Sequence, residues 1–385
     1  MILYRTVFLL SKRMMWYILL MVLFACQKQP YSTDFSIDGL KPMDTHLVST
    51  AASYHNNHIR DMVLIYGGGT NKGQVWDYYA FHPYVVYKND QHVYEWMFDG
   101  FLFLELSDDL GFSFTVGHGD PAKPAQKANW ATLIDKYFEQ GRSLHELDQA
   151  IEDATWSAGQ PPSKRRIVIG IPEPLTAVAN NWGMAEGIWL NFQTAGHKTK
   201  ACKWFVDEVS ARFNAANFRH LTLDGFYWIG EAIEDNGTTI ADMGSYLSGL
   251  NLSFNWIPWW QSPGYTNPTA LGFSDSYLQP NYFFYSTVPF SRLQAACNAA
   301  ITYGLGLEME FDDNILYFDP YRTKFNEYLD VFGQNNIFDT KKIAYYQSES
   351  TILKLFTSTV PVHKTMYKRL CETVVRRQKL GLPTL

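Results

Sequence analysis

The sequence predicts an α/β chain folded as a (β/α)8 TIM barrel, and three observations carry that prediction. Residues 221–231, Leu-Thr-Leu-Asp-Gly-Phe-Tyr-Trp-Ile-Gly-Glu, form an apolar and aromatic run without proline. The run stops at Gly230 and presents a carboxylate, Glu231, just past its end, the position where barrel strands carry their reactive groups. Residues 305–313, Leu-Gly-Leu-Glu-Met-Glu-Phe-Asp-Asp, repeat the pattern with two carboxylates inside the apolar stretch. Eight such runs alternate mainly with helical segments, and runs that are continuously apolar mark strands covered on both faces, hence a parallel sheet. No glycine fingerprint follows the first run, which favours a closed barrel over a doubly wound sheet.

The chain opens with Arg5, Lys12 and Arg13 ahead of an apolar segment at 14–24 that is too short to span a bilayer and has the charge layout of a secretory signal. It ends in Leu23-Phe24-Ala25-Cys26, which resembles a bacterial lipobox. The resemblance implies a signal peptide over 1–25, lipidation of the Cys26 thiol, a polar tether over 26–45 and a barrel domain over 46–385. The folded part is then expected at the cell envelope, held to the membrane through Cys26. Outer membrane, periplasmic face and cell surface all stay open.

The first strand is 61–66, closed by Gly67-Gly68-Gly69. These glycines lack a following Gly-Lys-Ser/Thr and read as a flexible loop at the barrel mouth rather than a phosphate cradle. Residues 70–98 do not read as the expected first helix. Tyr84 to Tyr87 and His92 to Trp96 flank Lys88-Asn89-Asp90-Gln91 as a β-hairpin, an insertion after strand one expected to cover or line the mouth. Strand two is 99–106, and a helix follows over 128–140. A second helix opens at Ser143 with Glu146 at capping-box spacing, runs through Leu144, Leu147 and Ile151, and is ended by Gly159-Gln160-Pro161-Pro162.

Strand three is 167–171, closed by Pro172-Glu173-Pro174. Helix 198–217 puts Ala201, Trp204, Phe205, Val209 and Phe213 on one face. After strand four come a short helix at 240–250, strand five at 251–260 with Pro258 at its end, strand six at 271–278 and an aromatic loop at 282–285. A helix through Leu293, Ala296, Cys297, Ala300 and Ile301 leads into strand seven at 305–311. A helix at 321–332 and strand eight at 342–346 complete the barrel. The tail at 362–380 reads as a basic amphipathic helix with a solvated charged face and no assigned function.

Aromatic residues make up 16% of the chain and charged ones 18%, so disorder is excluded and many rings need a core or a groove. A net charge of -6 and a pI near 5.9 offer no basic patch for nucleic acid. Cys202, Cys297 and Cys371 lack metal-ligand spacing and read as small buried hydrophobes. No metal or cofactor motif is present: strand one carries no His-x-His, His118 and His145 stand alone, and there is no Gly-x-Ser-x-Gly elbow.

Glu308 and Glu310 are two apart and share one face of a strand, and ionised side chains are rarely buried without a reason. With Glu231 they would project into one mouth. Hydrolysis of a glycosidic bond needs two carboxyl groups flanking it, one to protonate the leaving oxygen and one to attack or to activate water. The arrangement resembles the large group of retaining barrel glycosidases in which strands four and seven end in the two glutamates. That resemblance implies Glu231 as acid/base and Glu310 as nucleophile, with Glu308 as an alternative or orienting carboxylate. Gly230 departs from the pattern, because the group usually has Asn there to hold the substrate's 2-hydroxyl. Asp99 and Asp224, in matching Asp-Gly-Phe contexts, read as structural polar groups lower in the barrel.

Sugar rings stack their C–H faces on aromatic side chains. Trp228, Trp256, Trp259, Trp260, Tyr265 and Tyr282, with Trp182, fall at strand ends or in the loops after them and are expected to bind substrate. The lipobox, Asp99-Gly100-Phe101, Asp224-Gly225-Phe226-Tyr227-Trp228 through Glu231 and the total length are together similar to the Bacteroides family named domain of unknown function 4855. That resemblance implies a glycosidase-type barrel lipoprotein from a glycan-degrading gut bacterium. The expected function is a glycoside hydrolase acting on a poly- or oligosaccharide by a two-carboxylate, retaining mechanism. The alternative is a non-catalytic glycan-binding lipoprotein that keeps the barrel and its aromatic groove.

Overall fold

Each of the eight apolar runs becomes a strand. The computed structural model describes residues 57–69, 74–176 and 181–380, all within one unit spanning Val48–Leu385; the expected signal peptide and tether, with Cys26, lie outside the described residues. The strands are β1 (Asp61–Tyr66), β2 (Gly100–Leu104), β3 (Arg165–Ile171), β4 (Leu221–Trp228), β5 (Ser253–Trp256), β6 (Asp275–Leu278), β7 (Gly306–Glu310) and β8 (Ile343–Tyr346). Every strand pairs in parallel with its neighbours in sequence, and β8 returns to β1 with Met62 opposite Ala344, so the sheet is a closed barrel.

Side-chain alternation explains why the runs are apolar throughout. Met62, Leu64, Leu102, Leu104, Val168, Tyr227, Tyr277, Ala344 and Tyr346 point into the lumen and pack on one another. Their strand neighbours, among them Val63, Phe101, Ile167, Phe226, Leu307 and Met309, face outward into a larger core shared with the helices. Those helices are α1 (Tyr78–Val85), α2 (Lys127–Tyr137), α3 (Ser143–Ala158), α4 (His197–Ala216), α5 (Gly237–Gly249), α6 (Ser291–Tyr303), α7 (Asp319–Gln334) and α8 (Pro361–Leu380). Between β5 and β6 there is only a four-residue helical turn, Pro268–Leu271. Among the described residues no helix is long and apolar enough to cross a membrane.

The end of the barrel where the strands begin is closed by a floor. Asn57 donates from Nδ2 to Asn255 Oδ1 at 2.5 Å and to the Tyr277 hydroxyl at 2.8 Å, while Lys342 Nζ donates to the Asn57 carbonyl at 2.8 Å and pairs with Asp275 at 2.5 Å. Glycines make this floor possible. A Cβ at Gly100 would stand 2.2 Å from the Ile59 side chain, and one at Gly225 would stand 2.0 Å from Ser253 Oγ and 2.3 Å from its carbonyl oxygen. Both Asp-Gly-Phe segments therefore owe their glycine to close approach. Asp99 accepts the backbone N–H groups of Arg60 at 2.9 Å and Asp61 at 2.8 Å, and Asp224 pairs with Arg166 at 2.8 Å, as their reading as structural groups requires.

Three expectations are corrected here. Residues 78–85 are helical: Asp77 caps α1 by accepting the Ala80 N–H at 2.9 Å, and burial of Phe81 and Tyr84 outweighs an aromatic sequence containing Pro83. The hairpin, Val86–Lys88 against Tyr94–Trp96, exists but lies at the floor end, because α1 has already carried the chain back down. There Arg165, at the start of β3, lies over the Trp96 ring at 5.0 Å and Tyr87 meets Tyr367 of α8. The capping box at Ser143 does not form. The Ser143 hydroxyl donates to Gly67 O at 2.8 Å, and Glu146 instead accepts the Tyr78 N–H at 3.0 Å, tying α3 to β1 and α1.

The tail helix is also more than a solvated face. α8 buries Met366, Leu370, Cys371 and Val374, and its Arg377 is wholly buried, pairing with Asp61 at 2.5 Å. Arg377 also donates to the carbonyls of Arg60 and Lys341, both at 3.0 Å, and of Phe338. Cys202, Cys297 and Cys371 are free and buried, as the sequence suggested, and burial pushes the Cys297 thiol up to about 12.

Candidate active site

The strand ends opposite the floor carry the carboxylates. On β7, Leu307 and Met309 belong to the outer core, so Glu308 and Glu310 face the lumen. Both are buried. Glu310, at the strand's C-terminal end, accepts the Tyr328 hydroxyl of α7 at 2.5 Å on one oxygen and Asn281 Nδ2 at 3.3 Å on the other. Burial, then the charge of Glu310, push the Tyr328 phenol well above its ordinary range, so it stays protonated and acts as the donor. Arg292 and Lys324 lie within electrostatic reach of Glu310; burial lowers both, and Glu310 partly offsets this.

Glu231 sits three residues beyond the end of β4 and is partly exposed. Its carbonyl accepts the Ser262 hydroxyl at 3.0 Å. The loop after β5 thus reaches both carboxylates' surroundings: Ser262 holds the Glu231 backbone, and Trp260 N–H donates to Asn281 Oδ1 at 2.7 Å, the same Asn281 that donates to Glu310. Trp259, Trp260 and Tyr265 of this loop are partly exposed, with Arg292 over the Trp260 ring at 4.8 Å.

The other expected platforms are core residues. Trp228 and Trp256 pair across β4 and β5 on the outward face and are fully buried, with Trp256 stacked on Phe273 and donating to Gly230 O at 3.0 Å. Trp182 is buried against Trp130 and Trp204. Tyr282 is buried, its hydroxyl donating to Glu327 at 2.6 Å and Lys324 lying 4.6 Å over its ring. None of these four offers a free ring face to a sugar.

Two carboxylates escaped the sequence reading. Glu105, just past β2, is buried and accepts the N–H groups of Gly68 at 2.9 Å and Gly69 at 3.0 Å, so these glycines are clamped rather than loose. Glu173, two residues past β3, is buried and accepts three donors: Thr115 Oγ1 at 2.9 Å, Val116 N–H at 3.2 Å and Asn236 Nδ2 at 2.8 Å. Lys198 Nζ donates to Asn236 Oδ1 at 2.8 Å, which fixes the amide's orientation because an ammonium only donates. Glu173 was legible in Pro172-Glu173-Pro174, since a carboxylate just past a strand end is the signal that selected Glu231.

Gly230 now has a physical reason. A Cβ there would stand 2.9 Å from Trp228 Nε1 and 3.4 Å from the carboxyl carbon of Glu173. The Trp228 ring nitrogen and the Ala232 carbonyl at 3.2 Å are what exclude a side chain at 230, with Glu173 in van der Waals contact beyond them. Glu173 and Asn236 also line a cavity of about 460 Å³ between the loops that follow β2, β3 and β4, with Val116, Pro121, Pro124 and Pro174 as apolar wall. Among the described residues no group of three or more His, Cys, Asp or Glu side chains could hold a metal ion.

The family described as a domain of unknown function (DUF4855) matches residues 61–372, the barrel from its first strand into its last helix. No curated protein matches the sequence. Among solved structures, a mutant tryptophan synthase alpha-subunit from Pyrococcus furiosus is 9% identical over 82% of this chain and 97% of that chain, with a TM-score of 0.37. Tryptophan synthase from M. tuberculosis in an aminoacrylate-bound form is 10% identical over 83% of this chain and 94% of that chain, also with a TM-score of 0.37. Likenesses this weak carry no argument about what the chain does.

Proposed function

We propose, from the premise that this chain belongs to the DUF4855 family, that it is a glycoside hydrolase acting on a poly- or oligosaccharide, with Glu310 as nucleophile and Glu231 as acid/base. The observation that carries the reading is the pair Glu308 and Glu310, two buried carboxylates turned into the lumen of a parallel barrel, with Glu310 at the C-terminal strand end. Tyr328 and Asn281 stabilise the ionised form of Glu310 that attack at the anomeric carbon requires. Glu231, partly exposed at the end of a strand across the barrel, fits the group that exchanges its proton with the leaving oxygen and then with water. Trp259, Trp260 and Tyr265 supply partly exposed rings beside it for a sugar's apolar face. The lipobox at Cys26 fits a protein working at a bacterial envelope on glycan from outside, in the setting that the Bacteroides resemblance implies.

The test is turnover of a panel of aryl glycosides and polysaccharides. Glu310→Gln is expected to abolish turnover, and a 2-deoxy-2-fluoroglycoside should leave a covalent sugar adduct on Glu310 of the parent protein, located by peptide mass spectrometry. Glu231→Gln is expected to slow natural glycosides by about 10²–10⁴-fold while sparing dinitrophenyl glycosides, whose leaving group needs no proton. Undiminished turnover in both variants would remove the assignment. A binding-only barrel is favoured by one observation, that each Glu310 oxygen already holds a protein donor as a structural carboxylate does. It predicts polysaccharide binding by the parent protein without turnover.

A further inference from the structure

The cavity bounded by the loops after β2, β3 and β4 is separate from the Glu310 group, and its chemistry points to a ligand. One wall is apolar, with Val116, Pro121, Pro124 and Pro174, and the other is polar, with Glu173, Asn236, Glu234 and His118. A surface that pairs apolar wall with hydrogen-bond acceptors matches a sugar ring, whose C–H faces are apolar and whose rim is hydroxyl. Thr115, Val116 and Asn236 donate to Glu173, which serves as a hydrogen-bond acceptor at the cavity wall. Next to it, the fully buried Trp228 Nε1–H has no partner among the described residues. Gly230 leaves this donor uncovered, because a Cβ there would stand only 2.9 Å from Trp228 Nε1.

We infer that this cavity is a glycan-binding subsite, in which the hydroxyls of one sugar ring donate to Glu173 while the ring lies on the proline wall. Glu173 serves there as a binding group. The inference rests on the hydrolase reading and extends it: the mouth holds at least two sugar units, one at Glu310 and one over the loops after β2 and β3.

The experiment measures retention of the full chain in native gels containing xylan, mannan, mixed-linkage β-glucan, arabinogalactan or chondroitin sulfate, in a Glu310→Gln background so that nothing is cut. Glu173→Gln, which removes the charged acceptor, is expected to weaken retention about tenfold or more. Because Glu173 is buried, a second variant guards against misfolding. Val116→Arg, at an exposed position on the cavity rim, is designed to fill the space and pair with Glu173, and it is expected to weaken retention equally with an unchanged melting temperature. Retention by some polysaccharide that neither variant alters would overturn the subsite and leave the hydrolase reading standing. Retention of the parent by none of the five would overturn both.

Discussion

At the scale of single residues, carboxylates proved easier to read than rings. A charged group inside an apolar run carries a desolvation cost that needs a reason, so Glu308 and Glu310 stand out, and Glu105 and Glu173 would have stood out under the same rule. An aromatic residue at a strand end carries no such signal, because burial suits it as well as exposure. Strand parity decides instead: Tyr227 faces the lumen, so Trp228 must face the helices. Arg377 was illegible for a different reason. Its partner Asp61 is more than three hundred positions away in sequence, and only the folded barrel brings them together. Replacing Arg377 with Leu leaves Asp61 buried without its cation and strips donors from three carbonyls. The expected loss is about 3–5 kcal/mol of stability, read from urea or thermal unfolding.

At the scale of elements, all eight strands were legible, because a strand buried on both faces leaves an unbroken apolar run that loops rarely imitate. Their ends were less so. Strands five and six were read too long, since Trp260 and Leu271 are apolar residues outside the strands that pack against the same core. The hairpin was found but assigned to the wrong end, because sequence order does not reveal that an eight-residue helix intervenes. The interlocking of β4 with β5 gives a sharp expectation. Gly225→Ala drives a methyl group into the Ser253 backbone, which cannot move without opening the barrel, so a loss of about 3 kcal/mol or more is expected in the unfolding midpoint. An unchanged midpoint would mean that the two strands are not packed this closely.

At the scale of the whole molecule, the barrel has two unlike ends. One is held by Asn57, the Asp275–Lys342 pair and the Arg377–Asp61 pair and gives the fold its strength; the other gathers Glu105, Glu173, Glu231, Glu308 and Glu310. The proposed membrane attachment through Cys26 belongs to this scale as well. Cys26→Ala is expected to move the protein from the membrane pellet to the soluble fraction of fractionated cells, and a variant that stays in the pellet would show that Cys26 is not what holds it there. The floor has one more consequence. With Asn57, Ile59 and Tyr277 filling its base, the barrel is a vessel with a single doorway. No polymer can be threaded through it; on the proposed hydrolase reading a long glycan lies across the rim, and the released product leaves by the way the substrate came in.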